Sequence, residues 1–214
     1  MLFSVLWLAL SAPAWAAEGE QLEIWSEVGV SADLPKHLEL SVSEQLRVTP
    51  GQGVFAEELL SDVALSWADW KDLELSLGYR YAFLELGGED AGRSQRLHFD
   101  LGYDWKLKPV KLYARARYQQ RPPWIEEAPK HTARLKVGVR ARTDWELAPY
   151  ASVEPWKRIS DPGLQKVRGE VGVRTKQKHW GAKVFYRVEQ PISDPTDPRN
   201  HIIGLNFTGA VDLD

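Results

Sequence analysis

The residues with most to offer chemically are five histidines and a scatter of hydroxyls and carboxylates. His37, His98, His131, His179 and His201 stand far apart in the chain. A zinc site needs His, Cys or carboxylate ligands clustered at set spacings, so neither a metal centre nor a cofactor is expected. The chain holds no G-x-S-x-G, no H-E-x-x-H and no P-loop. One catalytic reading stays open. His131, His201, Ser94, Asp194 and Asp197 all fall toward one end of the strands predicted below. A lipid-modifying enzyme of acylase or acyltransferase type would combine such a Ser or His with a carboxylate. The plainer reading takes them as solvated loop residues, and the balance does not point to an enzyme.

The densest chemistry is in arginine. Arg80, Arg96, Arg115, Arg117, Arg134, Arg140, Arg168, Arg174 and Arg187 all fall on the polar phase of an alternating pattern, with Glu74, Asp100, Asp104, Glu154, Glu170 and Glu189 on the same phase. Guanidinium forks suit phosphate and carboxylate oxygens. Arg115, Arg117, Arg134, Arg140 and Arg142 come from predicted neighbouring strands and would form a positive stripe for small anions. The alternative is that Asp100, Asp104, Glu154 and Glu170 neutralise them. The candidate charge network is Arg80, Arg96, Arg115, Arg117, Arg134, Arg140, Arg168, Glu154 and Glu170.

These residues are carried by a period of two. Leu73, Leu75, Leu77, Tyr79, Tyr81 and Phe83 alternate with Glu74, Ser76, Gly78, Arg80 and Ala82. Leu97, Phe99, Leu101, Tyr103 and Trp105 alternate with Arg96, His98, Asp100, Gly102 and Asp104, and similar runs follow to the end of the chain. About eleven strands of ~10–13 residues are predicted, longer than the ~5–6 of soluble strands and matched to a tilted membrane-crossing strand of ~9–11. The connections alternate between short ones, such as Asp69–Lys71, and long Pro- and Gly-rich ones, such as Arg121–Lys130 and Pro191–Asn200. This is the pattern of an all-β, antiparallel up-and-down transmembrane β-barrel of about ten to twelve strands. An odd count would leave the two chain ends on opposite sides. Single-chain bacterial barrels have even numbers, which predicts that residues 22–32 do not span or that one strand is split or merged.

Energetics fix the facing. An arginine toward lipid costs ~2–4 kcal/mol at the midplane. The nine on the polar phase, from Arg80 to Arg187, would cost about 20–35 kcal/mol, more than a domain's net stability of roughly 5–15 kcal/mol. The charged phase therefore points inward, into a crowded, ion-paired lumen rather than an open pore. Trp67, Trp70, Trp105, Trp145 and Trp180 lie beside short turns and predict one interfacial girdle; Tyr79, Tyr81, Phe83 and Tyr118 predict the other.

Composition agrees. The 214 residues are 43% hydrophobic, yet mean hydropathy is negative, so apolar residues are interspersed with polar ones. A net charge of −3 argues against a nucleic-acid partner. With no cysteine there is no disulfide framework and no lipoprotein anchor. An apolar run over Leu2–Leu10 and the small-residue site Ala14-Trp15-Ala16 predict a signal peptide over residues 1–16, although no Lys or Arg precedes the run. Residues 17–214 are then one outer-membrane barrel domain, monomeric, with outer-membrane lipid and small anions as expected partners. A soluble periplasmic barrel that binds ligands is the fold-level alternative.

The segments Trp25-Ser26-Glu27-Val28-Gly29-Val30, Glu44-Gln45-Leu46-Arg47, Gly78-Tyr79-Arg80-Tyr81, Gln95-Arg96-Leu97-His98, Tyr113-Ala114-Arg115-Ala116-Arg117-Tyr118 and Pro149-Tyr150-Ala151-Ser152-Val153-Glu154, in that order, resemble the bacterial family called domain of unknown function 2490. The resemblance runs over about residues 22–209. It implies a Gram-negative outer-membrane barrel, and it supplies no activity and no catalytic residues.

Overall fold

The computed structural model describes residues 20–50, 55–70, 72–86, 92–121, 130–143, 146–194 and 196–212. The predicted signal peptide, Trp145 and most of the Arg121–Lys130 loop lie outside them. The described residues contain eleven strands and no α-helix: β1 (Glu20–Leu34), β2 (Leu38–Thr49), β3 (Phe55–Trp67), β4 (Leu73–Leu86), β5 (Gly92–Leu107), β6 (Val110–Arg121), β7 (Lys130–Ala141), β8 (Ala148–Arg158), β9 (Lys166–Lys176), β10 (Trp180–Pro191) and β11 (Arg199–Asp212).

Each strand pairs with its chain neighbours, and β11 returns to β1, closing the sheet into a barrel. All pairings are antiparallel except the last. β1 and β11 run parallel, from Glu20↔Arg199 to Asp33↔Asp212. This corrects the expectation about parity. Residues 22–32 form a full strand, none is split or merged, and the odd count is absorbed by a parallel seam. One end of the barrel carries the short turns and the end of β11. The other carries the long loops and the start of β1. Strand direction thus puts Glu20 and Asp212 at opposite mouths.

The strands are strongly tilted. Following cross-strand partners from Leu73 through Tyr103, Ala114, Val137, Val153, Gly169, Val188 and His201 to Leu22 climbs from the short-turn end of β4 to the long-loop end of β1. Closing a sheet into a barrel requires such a stagger.

Burial is inverted relative to a soluble protein. Val28 is 59% exposed and Leu77 61%, while Glu170 is 4% exposed and Arg134 8%. Leu97, Phe99, Leu101, Tyr103 and Trp105 face outward, whereas His98 and Asp100 between them are buried. The apolar phase is the outer wall, and the charged phase fills the interior.

Some interior positions carry rings instead of charges. Tyr113, Tyr150, Phe185 and His98 each stand directly opposite a glycine on an adjacent strand: Gly138, Gly172, Gly204 and Gly78. A Cβ at any of these glycines would collide with the facing ring. The rings therefore lie along the wall rather than across the lumen, and the barrel keeps hollow space. Trp25, Tyr150, Phe185 and Ile202 form the buried apolar cluster of the interior.

Candidate functional site

The lumen is crossed at its waist by stacked arginines and tryptophans. Arg134 and Trp156 are register partners on β7 and β8, and Trp25 and Arg47 are partners on β1 and β2. The Arg134 Cζ lies 4.1 Å from the Trp156 ring centroid, and the Arg168 Cζ 4.0 Å. Arg168 also lies 5.8 Å from the Trp25 ring, over which Arg47 stacks at 3.9 Å and Arg187 at 4.7 Å. Guanidinium groups over an indole face are attracted by the ring quadrupole. The result is a chain of planar groups running from β7 to β2.

Carboxylates hold these cations. Glu154 sits 3.4 Å from Arg134 Nε and 3.8 Å from Arg168 Nη1. Glu189 forms an ion pair with Arg168 at 2.6 Å and accepts a hydrogen bond from Lys166 at 2.5 Å. Glu58 pairs with Arg47 at 2.5 Å, and Asp62 with Arg80 at 2.7 Å. The Trp25 indole N–H donates to Glu23 at 2.7 Å. Below the waist Glu170 gathers Arg187, Lys136 (3.2 Å), Lys183 (3.1 Å) and the Tyr150 hydroxyl (3.0 Å). Arg117 meets Asp100 with two contacts of 2.5 Å. Buried charges need such partners, because desolvation of a lone ion is costly.

On either side of this septum lie two chambers that share Arg47, Arg80, Arg134 and Arg168 as wall. The chamber on the short-turn side has a volume of about 710 Å³ and that on the long-loop side about 510 Å³.

The predicted network is thus brought together in the lumen, but its members have different fates. Arg80, Arg117, Arg134, Arg168, Glu154 and Glu170 form ion pairs. Arg96, Arg115 and Arg140 have no carboxylate within 4.0 Å among the described residues, and neither does Arg174. The expected stripe also breaks. Arg117 and Arg134 are direct partners across β6 and β7 but turn to opposite carboxylates. Arg142 is an exposed residue beyond β7 at the short-turn rim.

The catalytic combination does not form. Ser94 is buried on the inner face. His131 and His201 face outward, hydrogen-bonded through Nδ1 to the Tyr118 and Tyr186 hydroxyls at 2.6 and 2.5 Å. The barrel wall separates the hydroxyl from both imidazoles. Asp194 lies in the β10–β11 connection, where the hydroxyl and then the backbone N–H of Thr196 donate to it and hold its carboxyl below the usual carboxylate range. It is a turn-forming acid rather than a base.

On the outer wall, Trp67, Trp70, Trp105 and Trp180 gather at the short-turn end, with Trp67 and Trp70 6.2 Å apart and Trp180 stacked on Phe207 at 6.1 Å. Sequence reasoning gave no role to Trp25, Trp156, Phe185 or Arg47. The available signal was an aromatic on the charged phase of a strand, such as Trp25 between Glu23 and Glu27.

A closed, mainly antiparallel β-barrel with an apolar outside and an ion-paired, divided interior is the class that fold and site define. Within that class the chain belongs to the family described as protein of unknown function DUF2490, whose model matches residues 22–198. Comparison with curated proteins and with solved structures found no match.

Proposed function

We propose that this chain is an integral outer-membrane barrel, exported through a signal peptide over residues 1–16, whose septum keeps it from acting as an open pore and whose basic chambers take small anions. The observation that carries the membrane reading is the inverted burial: an aliphatic and aromatic outer wall around a charged interior. In water that wall would be an exposed apolar surface far beyond the few hundred Å² that soluble monomers show. In a bilayer it is the required face, and the closed ladder leaves no backbone edge in hydrocarbon. Short turns then face the periplasm and long loops the exterior. The anion reading rests on the arginines without carboxylate partners, which lie on both sides of the waist.

Fractionation of cells expressing the full chain tests the membrane reading. The protein is expected in the outer membrane, migrating faster unheated than boiled. Recovery from the aqueous fraction without detergent would favour a soluble periplasmic barrel instead.

A further inference from the structure

We infer that the short-turn chamber is a binding site for a soluble phosphate-bearing anion, gripped by Arg140 and Arg174 with Arg115 deeper in the same chamber. The inference rests on the basic-lumen reading above and deepens it. Most lumen cations have a carboxylate partner, and Glu170, in the wall of this same chamber, serves three of them. Arg115, Arg140 and Arg174 are left without one among the described residues. The Arg140 Nε is buried with no hydrogen-bond partner. Arg140 instead lies 5.5 Å from the Tyr113 ring centroid.

The space beside them is held open. Gly138 and Gly172 let Tyr113 and Tyr150 lie along the wall. The resulting 710 Å³ falls within the ~300–1,000 Å³ range of small-ligand sites. Three guanidinium groups from β6, β7 and β9 approach this space from different strands. A carboxylate is satisfied by one planar fork, whereas a tetrahedral dianion offers oxygens in several directions. That geometry favours phosphate. A phospholipid headgroup stays outside, because every strand pair around the wall is hydrogen-bonded.

The test is titration of inorganic phosphate into the refolded full chain in detergent at fixed ionic strength, read by calorimetry and by ³¹P line width. Glycerol 3-phosphate and chloride serve as comparison anions. Saturable phosphate binding is expected, with glycerol 3-phosphate competing and chloride not. The double variant Arg140→Gln/Arg174→Gln should weaken it at least tenfold, and Arg96→Gln, in the other chamber, less than twofold. Should the double variant fail to refold, Arg140→Lys keeps the charge, loses the fork and should weaken binding severalfold. Loss of binding in Arg96→Gln with none in the Arg140 and Arg174 variants would overturn this site while leaving the basic-lumen reading intact. Equal displacement by chloride would overturn the phosphate site and leave the basic-lumen reading standing, and no binding of phosphate, glycerol 3-phosphate or chloride by the unmodified chain would overturn both.

Discussion

Phe185 on β10 lies across Gly204, its direct partner on β11, so closely that a Cβ at position 204 would come within 1.9 Å of the ring's Cζ. The contact explains a glycine in the middle of a strand, where it otherwise weakens the element. Gly204→Ala should push the ring into the lumen against Trp25 and Arg187, costing about 1–3 kcal/mol by overpacking. Gly209→Ala, on the same strand with nothing within 4 Å, should cost no more than ~0.5 kcal/mol. Urea unfolding midpoints in detergent measure the difference, and equal effects would refute the packing account.

The septum yields a functional prediction. Trp156 is the plate between Arg134 and Arg168, each stack contributing about 0.5–2 kcal/mol. Trp156→Ala should join the two chambers. Planar-bilayer recording should find the unmodified chain silent and the variant conducting, with anions preferred because the exposed walls are rich in arginine. A conducting unmodified chain would contradict the closed waist.

The parallel seam predicts topology. An epitope placed ahead of Glu20 should be reached by antibody on intact cells. One placed after Asp214 should be reached only after the outer membrane is breached. Both epitopes reporting the same side would mean that one of the eleven strands does not cross.

The strands were legible because alternation is a local property. Leu97 to Trp105 declares its two faces in nine consecutive letters. The closure was not legible, because Glu20 pairs with Arg199 across nearly the whole chain and no local pattern encodes a parallel seam. Lumen membership was readable for the same reason as the strands: Arg134, Arg168, Glu154 and Glu170 sit on the polar phase. Pairing was not. Whether Arg117 turns to Asp100 or joins Arg134 depends on which carboxylate lies across the next strand, a lateral relationship set by register. The septum was missed because Trp25 and Trp156 read as apolar residues, when their use is as platforms for cations. Ring-over-glycine contacts follow from hairpin register and were within reach, since Tyr113 and Gly138 are both on the polar phase of successive strands.

The inverted wall is the central claim, and a chain without native cysteine allows it to be read residue by residue. Leu97→Cys, His98→Cys, Phe99→Cys, Asp100→Cys and Leu101→Cys, each spin-labelled in lipid vesicles, sample one strand across both faces. Labels at 97, 99 and 101 should collide freely with lipid-dissolved oxygen and little with a water-soluble nickel chelate, and those at 98 and 100 should lose the oxygen collisions. Uniform accessibility along the strand, or chelate collisions at the odd positions, would contradict it.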